Sequence, residues 1–197
     1  MAARIHLVRH CAHGDVGRVL SGRCPATPLS AEGHAHAQRL GKVFARGEAI
    51  TAIHSSPRLR TKQTAQAIAD HLDIAVETVE ALDELDFGAW TGRSFAELDQ
   101  DPHWHHWNAA RDVATIPGGE TMKAAVDRAV THVDTLAQYD GAVLCVSHCD
   151  IIRGVIAHYL GLGLDRLLAF DVDPGSISTL VVGNWGGRLL ALNRRSI

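Results

Sequence analysis

The sequence predicts an α/β fold, a three-layer α/β/α sandwich around a mostly parallel central sheet. Three observations carry that reading. Short apolar runs alternate along the chain with longer amphipathic stretches, the pattern of strand–helix–strand units. The chain has 197 residues, 46% hydrophobic and 21% charged, enough for one sizeable core, and is read as a single domain over residues 1–197. Residues with chemical capacity fall where apolar runs end, the place where parallel sheets carry their sites.

The elements follow in order. Residues 3–9, "ARIHLVR", form a short apolar run that reads as a buried strand. After a glycine-containing loop, Ser30 is placed to cap a helix over "AEGHAHAQRLGKVFA", with Leu40, Val43 and Phe44 on its apolar face. "AITAIHSSP" is the second strand, and a helix then starts with Ser56 as N-cap and Pro57 in its first turn. A short strand around "AVETV" leads into "LDELDFGAWTG", a loop with an acidic cluster. Residues 93–120 read as irregular, a lid insertion carrying Trp104, Trp107 and "IPGGET"; a packed cap is the rival reading. "TMKAAVDRAVTHVDTLAQY" is an amphipathic helix, "GAVLCVSH" a fully apolar strand and "DIIRGVIAHYLG" a further helix. "SISTLVV" and "RLLALN" close the sheet as an antiparallel pair around a turn at Asn184–Gly187.

Composition narrows the function. A formal net charge of -3 gives no sign of a general nucleic-acid or membrane-surface binder. No stretch reaches the length of a membrane span, and "MAARIHLVRHC" is too short an apolar run for a signal peptide, so a cytoplasmic protein is expected. The cysteines, Cys11, Cys24, Cys145 and Cys149, are then expected to be reduced. Lysine occurs only at Lys42, Lys62 and Lys123, and the excess of arginine fits recognition of phosphate or carboxylate.

Two apolar runs end in His-Cys, at His10-Cys11 and His148-Cys149. A zinc set is one reading of these pairs. It is disfavoured because adjacent residues of an extended chain point opposite ways, and because Arg9 would stand beside a dication. The other strand ends offer Ser55 and Ser56 leading to Arg58 and Arg60, and Glu84. Arginines suit bidentate binding of an anion, a histidine suits attack on phosphorus, and a carboxylate suits protonation of a leaving oxygen.

"LVRHC" resembles the Arg-His-Gly signature of the histidine phosphatase, or phosphoglycerate mutase-like, superfamily. "SSPRLRTKQTA", "LDELDFGAWTG", "IPGGET" and "VSHCDIIRG" are similar to four further signatures in the same order, together spanning residues 5 to about 155. The resemblance implies a phosphoglycerate mutase-like fold. It also implies a metal-independent phosphomonoesterase with no cofactor, acting through a phosphohistidine on a small phosphorylated substrate. His10 is implied as nucleophile, and Glu84 as general acid and then base. Arg9, Arg60 and His148 are implied as the phosphoryl clamp, with Cys149 and Gly22 as further substrate contacts. Alignment selects Arg60 over Arg58, leaving Arg58 as a surface or substrate-contact side chain. A homodimer stays open.

The chain departs from the family pattern at Cys11 and Cys149, where glycine is usual, and at Ala12 and Val16, where polar contacts are usual. Residues 93–116 supply only Arg93 and Arg111, fewer basic groups than the related mutases carry. That favours a phosphatase, with a cofactor-dependent mutase and a non-catalytic phosphate-binding relative as alternatives.

Overall fold

The computed structural model describes residues 2–139 and 141–195. Its sheet has six strands: β1 (Ala2–Arg9), β2 (Ile50–Ser55), β3 (Val76–Thr78), β4 (Ala142–Ser147), β5 (Ile177–Gly183) and β6 (Gly186–Arg194). Their spatial order is β3-β2-β4-β1-β5-β6. β1, β2, β3 and β4 pair in parallel, while β5 runs antiparallel to β1 and β6 antiparallel to β5. The mixed, mostly parallel sheet is therefore the one expected, closed by the expected antiparallel pair.

Helices cover both faces, which explains why β4 is buried at every position. On one face α1 (Ala31–Ala45) and α2 (Leu59–Ala69) bury Leu40, Phe44 and Ile68 against Val8, Ile53 and Leu144. On the other, α5 (Met122–Leu136) and α6 (Cys149–Leu160) bury Val126, Val133 and Ile152 against Ile5, Leu7 and Val143. Capping follows the sequence at α1, where Ser30 accepts from the Gly33 N–H at 3.0 Å. Thr121 does the same for α5, accepting from Ala124 N–H at 3.2 Å.

Two expectations need correction here. Ser56 is not the cap of α2: Arg58 holds that position without a side-chain cap bond. The Ser56 hydroxyl accepts a long bond from the Arg58 N–H at 3.4 Å, but its shorter contact is with His148 at 2.7 Å, and it donates to Asp83. Residues 93–120 are not irregular throughout, since they form α3 (Phe95–Leu98) and α4 (Pro102–Ala109). Ser94 and Glu97 make a reciprocal capping box, and Asp101 caps α4 with Pro102 behind it. Trp107 is fully buried against Phe87, Trp90 and Trp104, so this segment packs onto the core as a cap.

Two glycines tie that cap down. A Cβ on Gly88, which has φ +45°, would lie 2.3 Å from the Pro117 carbonyl oxygen. One on Gly119 would lie 2.3 Å from the Asp86 oxygen, so "DFGAW" and "PGGE" lie backbone against backbone. No helix among the described residues is long and apolar enough to cross a membrane.

Candidate active site

The parallel strands deliver their chemistry to one cavity of about 330 Å³, beyond their C-terminal ends. Arg9 and His10 leave β1, His148 leaves β4, Arg60 stands in the first turn of α2, and Glu84 follows the turn after β3. Arg9, His10, Gly22, Arg60, Glu84 and Cys149 all line the cavity, and His148 packs behind His10 with ring centroids 5.3 Å apart. Every residue anticipated for the site is thus gathered in one place.

His10 is buried, and its Nδ1 lies 2.9 Å from the Cys11 carbonyl. A carbonyl only accepts, so Nδ1 carries the proton and Nε2 keeps its lone pair. Burial first, then the charges of Arg60 and Arg9, hold this imidazole well below its ordinary value. It is a neutral imidazole held in a single tautomer, a form that has the chemistry of a nitrogen nucleophile.

Arg60 is 2% exposed, with Nη2 donating to the Gly22 carbonyl at 2.6 Å and to His148 Nδ1 at 3.1 Å. Its Nε and Nη1, and Nε of Arg9, are buried without a hydrogen-bond partner. Buried donors are costly unless something accepts from them. Three such atoms on two cavity-lining guanidiniums match the demand of a tetrahedral oxyanion. Gly22 has φ +47°, and this turn aims its carbonyl at Arg60.

His148 must donate from Nε2, because Arg60 can only donate to its Nδ1. Nε2 lies 2.7 Å from Ser56 Oγ, and Ser56 Oγ passes its own hydrogen to Asp83 Oδ1 at 3.3 Å. In this arrangement the nitrogen nearest Glu84, at 3.7 Å from Oε2, is an acceptor. A donor role for it needs a second proton.

Glu84 is buried, and Oε1 accepts from the Leu85 N–H at 2.9 Å. Burial, with the charge of Asp150 adding and that of Arg60 opposing, raises its carboxyl to about 7. Its carbonyl accepts from Arg23 Nε at 2.7 Å and Arg128 Nη2 at 3.1 Å, and both arginines are held by Glu120. These supports escaped the sequence reading, although Glu120 sits inside "IPGGET" and signals the segment.

Asp83, which the sequence leaves in an acidic cluster without a role of its own, is 3% exposed. Arg58 grips it with Nε on Oδ1 at 2.8 Å and Nη2 on Oδ2 at 2.6 Å. Arg58 is therefore the ion-pair partner of a buried carboxylate and does not line the cavity, in place of the surface or substrate-contact role expected of it. His13, also unanticipated, lines the cavity beside His10 with ring centroids 5.1 Å apart.

The cysteines separate. Cys11 points into the α1–α2 core, while Cys149 lines the cavity, its Sγ donating to the Val172 carbonyl at 3.6 Å. Burial pushes the two thiols up to about 12 and about 11, overriding the nearby arginines. Among the described residues His10, Cys11, His148 and Cys149 do not converge as a metal set.

The chain is similar to known proteins in both sequence and structure. The sequence pattern of the histidine phosphatase superfamily (branch 1) matches residues 5–195. The adenosylcobalamin/alpha-ribazole phosphatase of Escherichia coli (strain K12) is 27% identical over 200 residues, covering 98% of this chain and 97% of that protein. Phosphoserine phosphatase 1 of Hydrogenobacter thermophilus is 27% identical over 196 residues, covering 96% of this chain and 92% of its own. The crystal structure of the alpha-ribazole phosphatase from Shigella flexneri is similar with a TM-score of 0.84 at 27% identity, covering 98% of both chains.

Proposed function

The chain belongs to branch 1 of the histidine phosphatase superfamily, and on that premise we propose that it hydrolyses small phosphate monoesters through a phosphohistidine on His10. The observation that carries the proposal is the set of unpartnered buried guanidinium nitrogens on Arg9 and Arg60 around a neutral His10. In the first displacement the lone pair of His10 Nε2 attacks phosphorus in line. The bond to the leaving oxygen breaks, and that oxygen takes the Glu84 proton. In the second, water attacks phosphorus, Glu84 takes the proton from it, and the nitrogen–phosphorus bond breaks. Arg9 and Arg60 spread the charge of the equatorial oxygens, the task a divalent ion performs in other phosphoryl transfers. A dianionic phosphoryl group raises the imidazole pKa of His148; as Nδ1 gains the proton it needs to donate, Arg60 Nη2 turns from it to a phosphoryl oxygen.

The cavity wall supports a preference among substrates. Val16, Val19, Leu20, Phe95 and Trp104 present an apolar and aromatic surface beyond the phosphoryl clamp. The other cavity arginines already have carboxylate partners: Arg111 pairs with the largely buried Asp150 at 2.6 Å, and Arg153 with the exposed Asp171 at 3.3 Å. A leaving group with an apolar or aromatic face fits better than one bearing a carboxylate or a second phosphate. The same pairing weakens the hold on a second anionic group such as a mutase substrate carries, so phosphatase chemistry is favoured over mutase chemistry. The 93–120 segment, which supplies Phe95, Trp104 and Arg111, is the cover of this half of the cavity.

The test is rapid acid or base quenching of turnover, followed by mass mapping, alongside phosphate release from a panel of metabolite phosphates. An acid-labile, base-stable phosphoryl group on His10 is expected, with turnover abolished in His10→Ala. Turnover of that variant near the wild-type rate would sink the nucleophile assignment.

A further inference from the structure

A second cluster of ligating side chains lies outside the cavity, under α5. His54 and Cys145 are direct neighbours across the parallel β2–β4 ladder, so their side chains share one face of the sheet. His132 of α5 meets them there. One ligand atom from each of the three residues lies within 4.8 Å of the others. His54 Nδ1 and His132 Nε2 are 3.0 Å apart. His54 and Cys145 are buried, and none of the three lines the cavity around His10.

The arrangement carries a mark that simple packing does not explain. His54 Nε2 is buried without a hydrogen-bond partner, yet Glu77 Oε2 stands 3.6 Å away. Metal-bound histidines commonly present their second nitrogen to a carboxylate, which fixes the tautomer and strengthens the ligand. Two imidazoles and a thiolate are also the donor set that zinc prefers over magnesium or calcium.

We propose that His54, His132 and Cys145 bind a zinc-like divalent ion, with Glu77 as the outer carboxylate on His54. His54 ligates through Nδ1 and His132 through Nε2, and the fourth position opens towards the half-buried His132 side. Tetrahedral zinc, with bonds of about 2.0–2.1 Å to nitrogen and about 2.3 Å to sulfur, sets ligand atoms roughly 3.3–3.6 Å apart. Small side-chain shifts reach that spacing from the observed one. On binding, the Cys145 thiol proton leaves to solvent, and the proton shared by the two rings passes to Nδ1 of His132. Nε2–H of His54 then donates to Glu77. Burial already holds both imidazoles neutral, His132 down to about 4, which is their ligating form. The ion would join β2, β4 and α5 beneath Ser56 and His148, outside the proposed chemistry.

The experiment is titration of the untagged full-length protein with Zn²⁺ alone by calorimetry, with Co²⁺ loading read by absorption. One ion per chain is expected in wild type and in His10→Ala, with a thiolate-to-cobalt charge-transfer band. His132→Asn and Cys145→Ser should weaken binding at least tenfold, and Cys145→Ser should lose the band. Glu77→Gln should weaken it about 10–100-fold, the usual effect of an outer-sphere partner. His132→Asn sits on a partly exposed helix face and gives a reading even if Cys145→Ser misfolds. No saturable binding to folded wild type, undiminished binding in His132→Asn, or loss in His10→Ala would each overturn the proposal.

Discussion

Arg60 Nη2 donates to Nδ1 of His148 across 3.1 Å, and this one contact decides where the His148 proton resides. Since a guanidinium cannot accept, the ring proton is on Nε2 and points to Ser56 Oγ at 2.7 Å. Ser56→Ala removes that acceptor and leaves a buried N–H unpaired, a cost of about 1–3 kcal/mol. Both a lower urea midpoint and a kcat/KM reduced by about tenfold are expected, the latter equivalent to about 1.4 kcal/mol. Wild-type stability and turnover in Ser56→Ala would show that His148 is oriented by something else.

Glu84 predicts a pH dependence with a definite sign. Its carboxyl is raised from 4.5 to about 7, so between those values the folded state holds a proton that the unfolded state has lost. This contribution is complete below 4.5 and disappears as pH rises through about 7, on the order of 3 kcal/mol in all. His10 and His148, both held below 6.5, act oppositely, and their contribution is lost towards acid. Glu84→Gln imitates the protonated form and should be more stable than wild type at alkaline pH, with the gap closing towards acid. Urea midpoints of both proteins from about pH 5 to about pH 9 measure this. Parallel curves would refute the raised carboxyl. The same variant should lose more activity on alkyl than on aryl phosphates, because a good leaving group needs little protonation.

How far the sequence could be read follows from what decides each feature. His10, His148 and Glu84 were legible because a parallel sheet sends its strand ends to one edge, and their neighbours carry ordered signatures. α4 was illegible because Trp104 and Trp107 are held by Phe87 and Trp90, partners outside the segment. Asp83 had no legible role because nothing local announces that Arg58, 25 residues earlier, will pair with it. Ser56 looked like a cap because the local rule cannot see His148, 92 residues away. The His54–His132 pair, 78 residues apart, had no signal beyond residue type.

Arg58→Ala should destabilise the protein without removing a group from the phosphoryl clamp. It removes the main cation from Asp83, whose side chain is 4% exposed against 20% for Arg58, and leaves Arg23 Nε at 3.5 Å as the remaining one. A fully buried pair broken this way costs about 3–5 kcal/mol, so roughly 2–3 kcal/mol is expected for this partly exposed one. Asp83 also accepts from the Glu84 N–H at 2.8 Å, so a modest fall in kcat should accompany the loss. Adding Asp83→Asn should recover part of the stability, since an amide does not need the cation. Urea midpoints of the single and double variants separate this from a surface role, which predicts no change in either.

Thiol labelling tests the fate of the two residues that replace glycine beside the histidines. Cys11 and Cys149 are held protonated, at about 12 and about 11, by burial. Cys145 is held at about 12 for the same reason. Cys24 differs: hydrogen bonds from the Ala26 backbone and Thr27 lower its thiol, whereas burial raises that of the likewise half-buried Cys149. The thiolate is the reactive form, so iodoacetamide at neutral pH should modify Cys24 first in the native protein. Cys11 and Cys145 should react only after unfolding, and Cys149 slowly through the cavity. Occupation of the phosphoryl site by vanadate should slow Cys149 further while leaving Cys24 unchanged. Mass mapping of a labelling time course checks each rate. Rapid modification of Cys149 would mean that Arg9 outweighs burial at that sulfur, and that this thiol is a reactive group of the site.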